Sequence, residues 1–103
     1  MIYSLIITER AEEKLEEAIT YLLEHLKNAQ AAKHLLDNVD EIYERMENNP
    51  FQFPESKDPF LKGKGYRTAI MAAMNYVIIF RVENTKVYVL GVFHELENYR
   101  SKI

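Results

Sequence analysis

The side chains with chemistry to offer lie between Lys62 and His94. Lys62-Gly63-Lys64-Gly65-Tyr66-Arg67 sets three cations on and beside a glycine turn. An apolar strand, Tyr76-Val77-Ile78-Ile79-Phe80, follows, and a second from Val87 to Phe93 ends on His94. Two ammonium groups and a guanidinium suit an anion such as phosphate, the guanidinium through its planar fork. An imidazole at a strand end adds a group that changes charge near neutrality, which suits proton transfer. Pairing of these strands is expected to bring the cationic and titratable groups to one sheet edge.

The elements that must hold these residues follow from spacing. Tyr3-Ser4-Leu5-Ile6-Ile7 is a short apolar run that predicts a strand buried on both faces or nearly so. Thr8 suits a helix N-cap, with Glu9, Glu12 and Glu13 near the positive end of the helix dipole. Ala11, Leu15, Ala18, Ile19, Leu22, Leu23 and Leu26 then recur at three and four residues, which predicts one buried helical stripe. Lys27-Asn28-Ala29 breaks the pattern. Asn28 is placed to cap a second helix carrying Ala32, Leu35, Leu36, Val39, Ile42, Tyr43 and Met46, and so short a link forces an antiparallel hairpin.

Asn48-Asn49-Pro50 ends the second helix, because proline lacks an amide donor and turns its predecessor away from helix. Phe51 to Leu61, with Pro54 and Pro59, reads as an irregular crossing segment pinned by Phe51, Phe53 and Phe60. From Tyr66 the period becomes two, with Arg67, Ala69 and Met71 on one face and Tyr66, Thr68 and Ile70 on the other. Strands over Tyr76–Val82 and Lys86–His94, joined by Glu83-Asn84-Thr85, complete a three-stranded antiparallel meander. The expected architecture is a two-layer α+β fold: an N-terminal strand, an antiparallel helical hairpin and the meander, forming one sheet with the helices on one face. The other face is expected to be partly open, walled by Arg67 and the basic turn.

With 103 residues the chain has the length of one compact domain, expected to span residues 1–103. It has no cysteine and three scattered histidines, a poor set for thiolate or zinc sites, so no metal or cofactor is expected. Apolar runs of five to seven residues fall short of the roughly 20 a bilayer span requires, and the N-terminus lacks a signal-peptide pattern. A cytoplasmic protein is expected. The net charge of −3 conceals a division: residues 1–56 carry five Lys/Arg against twelve Asp/Glu, and residues 57–103 carry eight against four. The C-terminal half is therefore the surface for an anionic partner.

The order of elements, with the run Tyr3–Thr8 followed by Ala11 and Leu15, Ala31-Ala32 and Leu35-Leu36, Pro50, Lys64-Gly65-Tyr66-Arg67, Asn75-Tyr76 and Val92-Phe93-His94, resembles the RelE/ParE superfamily of type II toxin–antitoxin toxins, also called plasmid stabilisation proteins. The resemblance covers nearly the whole chain. It implies a growth-inhibiting toxin neutralised by a cognate antitoxin that wraps its surface, and it admits a homodimer. Members resembling RelE cut mRNA in the ribosomal A site, whereas members resembling ParE poison DNA gyrase.

RNA cleavage through the 2′-hydroxyl requires a base, cations for the phosphate and an acid for the departing 5′ oxygen. The resemblance sets Arg67 at the phosphate-binding arginine of the ribonuclease branch, and Lys62 and Lys64 where that branch carries lysines. Tyr99 echoes its tail tyrosine, while His94 occurs in both branches. His25 and His34 lie in the helical hairpin and read as solvated or interhelical. Where the ribonuclease branch continues beyond the histidine position with arginine or lysine, this chain has Glu95-Leu96-Glu97, which repels phosphate unless Glu95 serves as the base. That departure and the acidic total favour a ParE-like toxin that binds a protein target such as gyrase through Lys62, Lys64, Arg67 and His94. The alternatives are a ribosome-dependent mRNA endonuclease using Arg67, Lys64, His94, Glu95 and Tyr99, and a non-toxic interaction domain of the same fold.

Overall fold

The computed structural model describes residues 2–71 and 73–103. Strand β1 (Ser4–Ile7) leads into helix α1 (Glu9–Thr20), which continues as one π-helical stretch, Tyr21–His25. Helix α2 (Ala29–Asn48), a 3₁₀ turn (Pro50–Gln52) and the short helix α3 (Pro59–Gly63) follow. Strands β2 (Arg67–Met71), β3 (Tyr76–Glu83) and β4 (Lys86–His94) and a 3₁₀ turn (Tyr99–Lys102) complete the chain. The three later strands begin and end within one residue of the bounds their alternation predicts. No helix among the described residues is long and apolar enough to cross a membrane.

Capping explains where the helices start. The Thr8 hydroxyl accepts from the Ala11 amide at 3.2 Å and donates to the Val89 carbonyl at 2.7 Å, fastening the start of α1 to β4. Asn28 Oδ1 accepts from the Ala31 amide at 3.0 Å, and Lys27 turns the chain at φ 51°. A lysine adopts that left-handed geometry at a cost that glycine avoids.

The sheet order is β1-β4-β3-β2, with β3 antiparallel to both β2 and β4 and β1 parallel to β4. β1 is thus an edge strand and stays partly exposed, so the near-complete burial expected of it does not occur. Its Leu5 and Ile7 still pack on the main core. Between β3 and β4 the register slips, Ile79 pairing with Gly91 and Phe80 with Val89, which leaves Leu90 as a bulge.

The hairpin of helices covers one sheet face, where Ala11, Leu22, Leu35, Val39, Met46, Ile78, Phe80, Val89 and Val92 form the core. The second face holds a smaller cluster of Val77, Ile79 and Phe93, overlaid by Tyr66, Leu90, Tyr99 and Ile103. The face expected to be partly open is therefore covered in part by the chain's own tail. Of the three phenylalanines expected to pin the crossing segment, Phe53 is buried against Phe80, while Phe51 and Phe60 are exposed.

Candidate functional site

Alternation within β2 decides where Arg67 points. It shares a face with Ala69 and Met71, the core side, and stands opposite Phe80. Its Nη1 donates to the Phe53 carbonyl at 2.8 Å, and its guanidinium lies 4.9 Å from the Phe51 ring centroid. Arg67 thus clasps the crossing segment on the helix side of the sheet and does not wall the second face, as the sequence pattern suggested.

His94 also faces the helix side, but at the other end of the ladder. Its ring meets Tyr76 edge-on at 5.3 Å. Its Nδ1 accepts from the Leu96 amide at 3.1 Å, which directs any neutral-ring proton to Nε2. One row of the sheet runs Arg67–Phe80–Val89 and another Met71–Tyr76–His94. Four residues at about 3.3 Å along a strand and two strands at about 4.8 Å across separate Arg67 from His94 by roughly 16 Å at the backbone. The expected convergence on one edge does not form for this pair.

His94 borders a cleft of about 430 Å³ with Lys14, Glu17, Ala18, Tyr21, Tyr76, Leu96 and Glu97. Glu97 fastens this corner, Oε1 accepting from the His94 amide at 2.9 Å and Oε2 from Lys102 Nζ at 2.7 Å. Burial pulls the Glu97 carboxyl upward, but these hydrogen bonds and the charges of Lys102 and Lys14 outweigh it and hold the group below its ordinary value. Tyr76 titrates above its ordinary value through burial, then through the charge of Glu97 and the nearby Tyr21. Glu95 donates its amide to the Asn75 carbonyl at 2.7 Å, and its side chain is exposed.

Lys62, Lys64 and Tyr99 belong to neither place. Asp58 caps α3 by accepting from the Phe60 amide at 2.8 Å, and the basic turn follows, with Gly65 at φ 78°. Lys64 Nζ stands 4.6 Å from the Phe60 centroid and 5.9 Å from that of Tyr66, while Lys62 is exposed in the last turn of α3. Tyr99 stacks on Phe93 at 5.6 Å, on the second sheet face. The tail then returns to α3, where Arg100 lies 5.0 Å from the Phe60 centroid and 3.7 Å from Asp58. Lys64 and Arg100 thus share the Phe60 ring. Arg100 was missed although the expected site reached its neighbour Tyr99; the signal was a basic residue beside the tail's one aromatic.

A four-stranded sheet with a parallel N-terminal edge strand, a helical hairpin on one face and a basic turn before the meander is the fold of known type II toxins. The structure is similar to one titled as the chromosomal ParDE toxin–antitoxin system from P. aeruginosa, with a TM-score of 0.73 and 19% identity over 90% of this chain and 96% of that one. It is similar also to a chain of the RelBE2 toxin–antitoxin complex from Mycobacterium tuberculosis, with a TM-score of 0.62 and 20% identity over 91% and 99%. No curated protein matches the chain. The family is defined by sequence: the model of the ParE toxin of type II toxin–antitoxin systems matches residues 5–99, and the chain belongs to that family.

Proposed function

We propose that the protein arrests growth as a ParE-like toxin, by binding a protein target such as DNA gyrase, and that an antitoxin encoded beside it neutralises it. The observation that carries this reading is the separation of Arg67 from His94 and the engagement of Arg67 with Phe53 and Phe51. A phosphate-cleaving site requires its cation and its proton-transfer group within contact of one phosphate, and a gap of roughly 16 Å does not supply that. Binding a protein surface makes no such demand.

One observation favours the second reading, a ribosome-dependent mRNA endonuclease. Arg100 returns to Lys64 beside Tyr66 and Tyr99, so two cations and two phenols gather on the second face. Induction of the chain alone separates the two readings. The gyrase reading expects growth arrest, altered plasmid supercoiling and intact mRNA, with rescue by the neighbouring reading frame. Rapid mRNA cleavage that Lys64→Ala or Arg100→Ala abolishes would replace it with the nuclease. Normal growth with soluble protein present would leave a non-toxic interaction domain.

A further inference from the structure

Neither functional reading uses the cleft of about 430 Å³ between α1, the end of the β3–β4 ladder and the start of the tail. Its volume is that of a small-molecule site. Three aromatic side chains line it. Tyr76 is buried and meets the His94 ring edge-on at 5.3 Å, while Tyr21 stands exposed on the rim. Tyr21 opens the π-helical stretch, its carbonyl accepting from the Leu26 amide at 3.2 Å, and its ring stacks on that of His25 at 5.4 Å. The rim ring is thus braced, and the cleft offers flat apolar surface both at its mouth and within.

Its polar groups leave an excess of donors. The Leu96 amide occupies His94 Nδ1, so Nε2 carries a proton whether the ring is neutral or charged. Among the described residues no protein acceptor meets that N–H or the Tyr21 and Tyr76 hydroxyls, and Lys14 Nζ has only a loose pair with Glu17 at 3.5 Å. The acceptors are already engaged. Glu97 takes the His94 amide on one oxygen and Lys102 on the other, and Glu17 leans out into solvent. Glu97 feels the charge of Lys14, and Tyr76 feels Glu97 and Tyr21, so these groups share one neighbourhood. What the cleft lacks is an acceptor. Lys14 and Lys102 balance Glu17 and Glu97, a setting that tolerates one added negative charge far better than two.

We propose that this cleft binds a small aromatic carboxylate, whose carboxyl accepts from Lys14 Nζ and His94 Nε2–H and whose ring lies against Tyr21 and Tyr76. Charge-assisted hydrogen bonds fix the carboxyl, and the aromatic walls supply the contact area. The inference is independent of the toxin reading. A ligand seated there touches helix, ladder and tail together, and so ties the root of the tail to α1.

The test titrates benzoate and naphthoate onto the full chain and follows NMR shifts. Saturable binding is expected with a Kd of about 1 mM or tighter, the shifts centring on residues 14–21, 76 and 94–97. Lys14→Gln and His94→Phe are each expected to weaken benzoate about 10-fold, and Tyr21→Leu about 5-fold, with circular dichroism checking that each variant stays folded. A ligand series depends on no variant: benzamide, which keeps an acceptor but loses the charge, is expected to bind about 10-fold more weakly than benzoate, phenyl phosphate also more weakly, and benzylamine not at all. Absence of saturation by about 10 mM of either carboxylate overturns the site. So does benzylamine or phenyl phosphate binding as well as benzoate, undiminished affinity in Lys14→Gln and Tyr21→Leu, or shifts centred instead on Lys64 and Arg100.

Discussion

Gly91 is where a single residue constrains most. A Cβ there would run into the Phe93 ring, which is fully buried and stacked on Tyr99 and so has no room to swing aside. Gly91→Ala is expected to cost about 1–3 kcal/mol, as overpacking does, read as a lower urea midpoint at unchanged m. Tyr43 presents the opposite case, a buried hydroxyl with no partner among the described residues. Tyr43→Phe keeps the ring and removes the orphan, and is expected to add up to about 1 kcal/mol at neutral pH. Because the phenol is raised from 10.0 to about 12 in the folded state, its contribution is full below pH 10 and is lost as pH rises toward 12. Urea unfolding at pH 7 and pH 11 should show the gap between the two proteins widening in alkali. Neither residue was legible in the sequence: Gly91 read as one more strand position, and Tyr43 as an ordinary member of an apolar stripe.

The elements were largely legible because their signals are local. Thr8 and Asn28 were recognisable as caps, and both make the capping bonds. Thr8→Ala is expected to cost about 1–2 kcal/mol in thermal or urea unfolding, since it removes both the cap and the tie to Val89; Thr8→Ser should restore most of it. Lys27 carries its left-handed φ between the two helices, and Lys27→Gly is expected to stabilise by about 1 kcal/mol. Other features depend on partners distant in sequence. The parallel pairing of β1 with β4 is set by neither strand alone, and the exposure of Leu23 and Leu36 reflects what the sheet leaves uncovered. The side on which Arg67 lies was readable from alternation, but which side the helices would cover was not.

Across the whole molecule, the acidic hairpin and the more basic C-terminal half form two surfaces of opposite character. The tail closes the second by folding back over Phe93 onto α3. Its fastening through Glu97 depends on pH: a carboxyl held below its ordinary value stabilises the fold above the unfolded pKa, and that stability is lost as pH falls through the folded one. Unfolding free energies of wild type and Glu97→Gln should differ at pH 7 and converge in acid, below the ordinary carboxylate range of about 4. The candidate site was legible only in part at this scale, since the sequence names Lys64, Arg67, His94 and Tyr99 but not the separation the register imposes or the return of Arg100. The register has one more consequence, for how the protein is made. Ser4–Ile7 pairs with Lys86–Val89, so β1 waits for about 80 further residues to be made before it has a ladder to join. A growing chain lacks the finished sheet until β4 has emerged, and whatever potency the completed fold has is withheld until then.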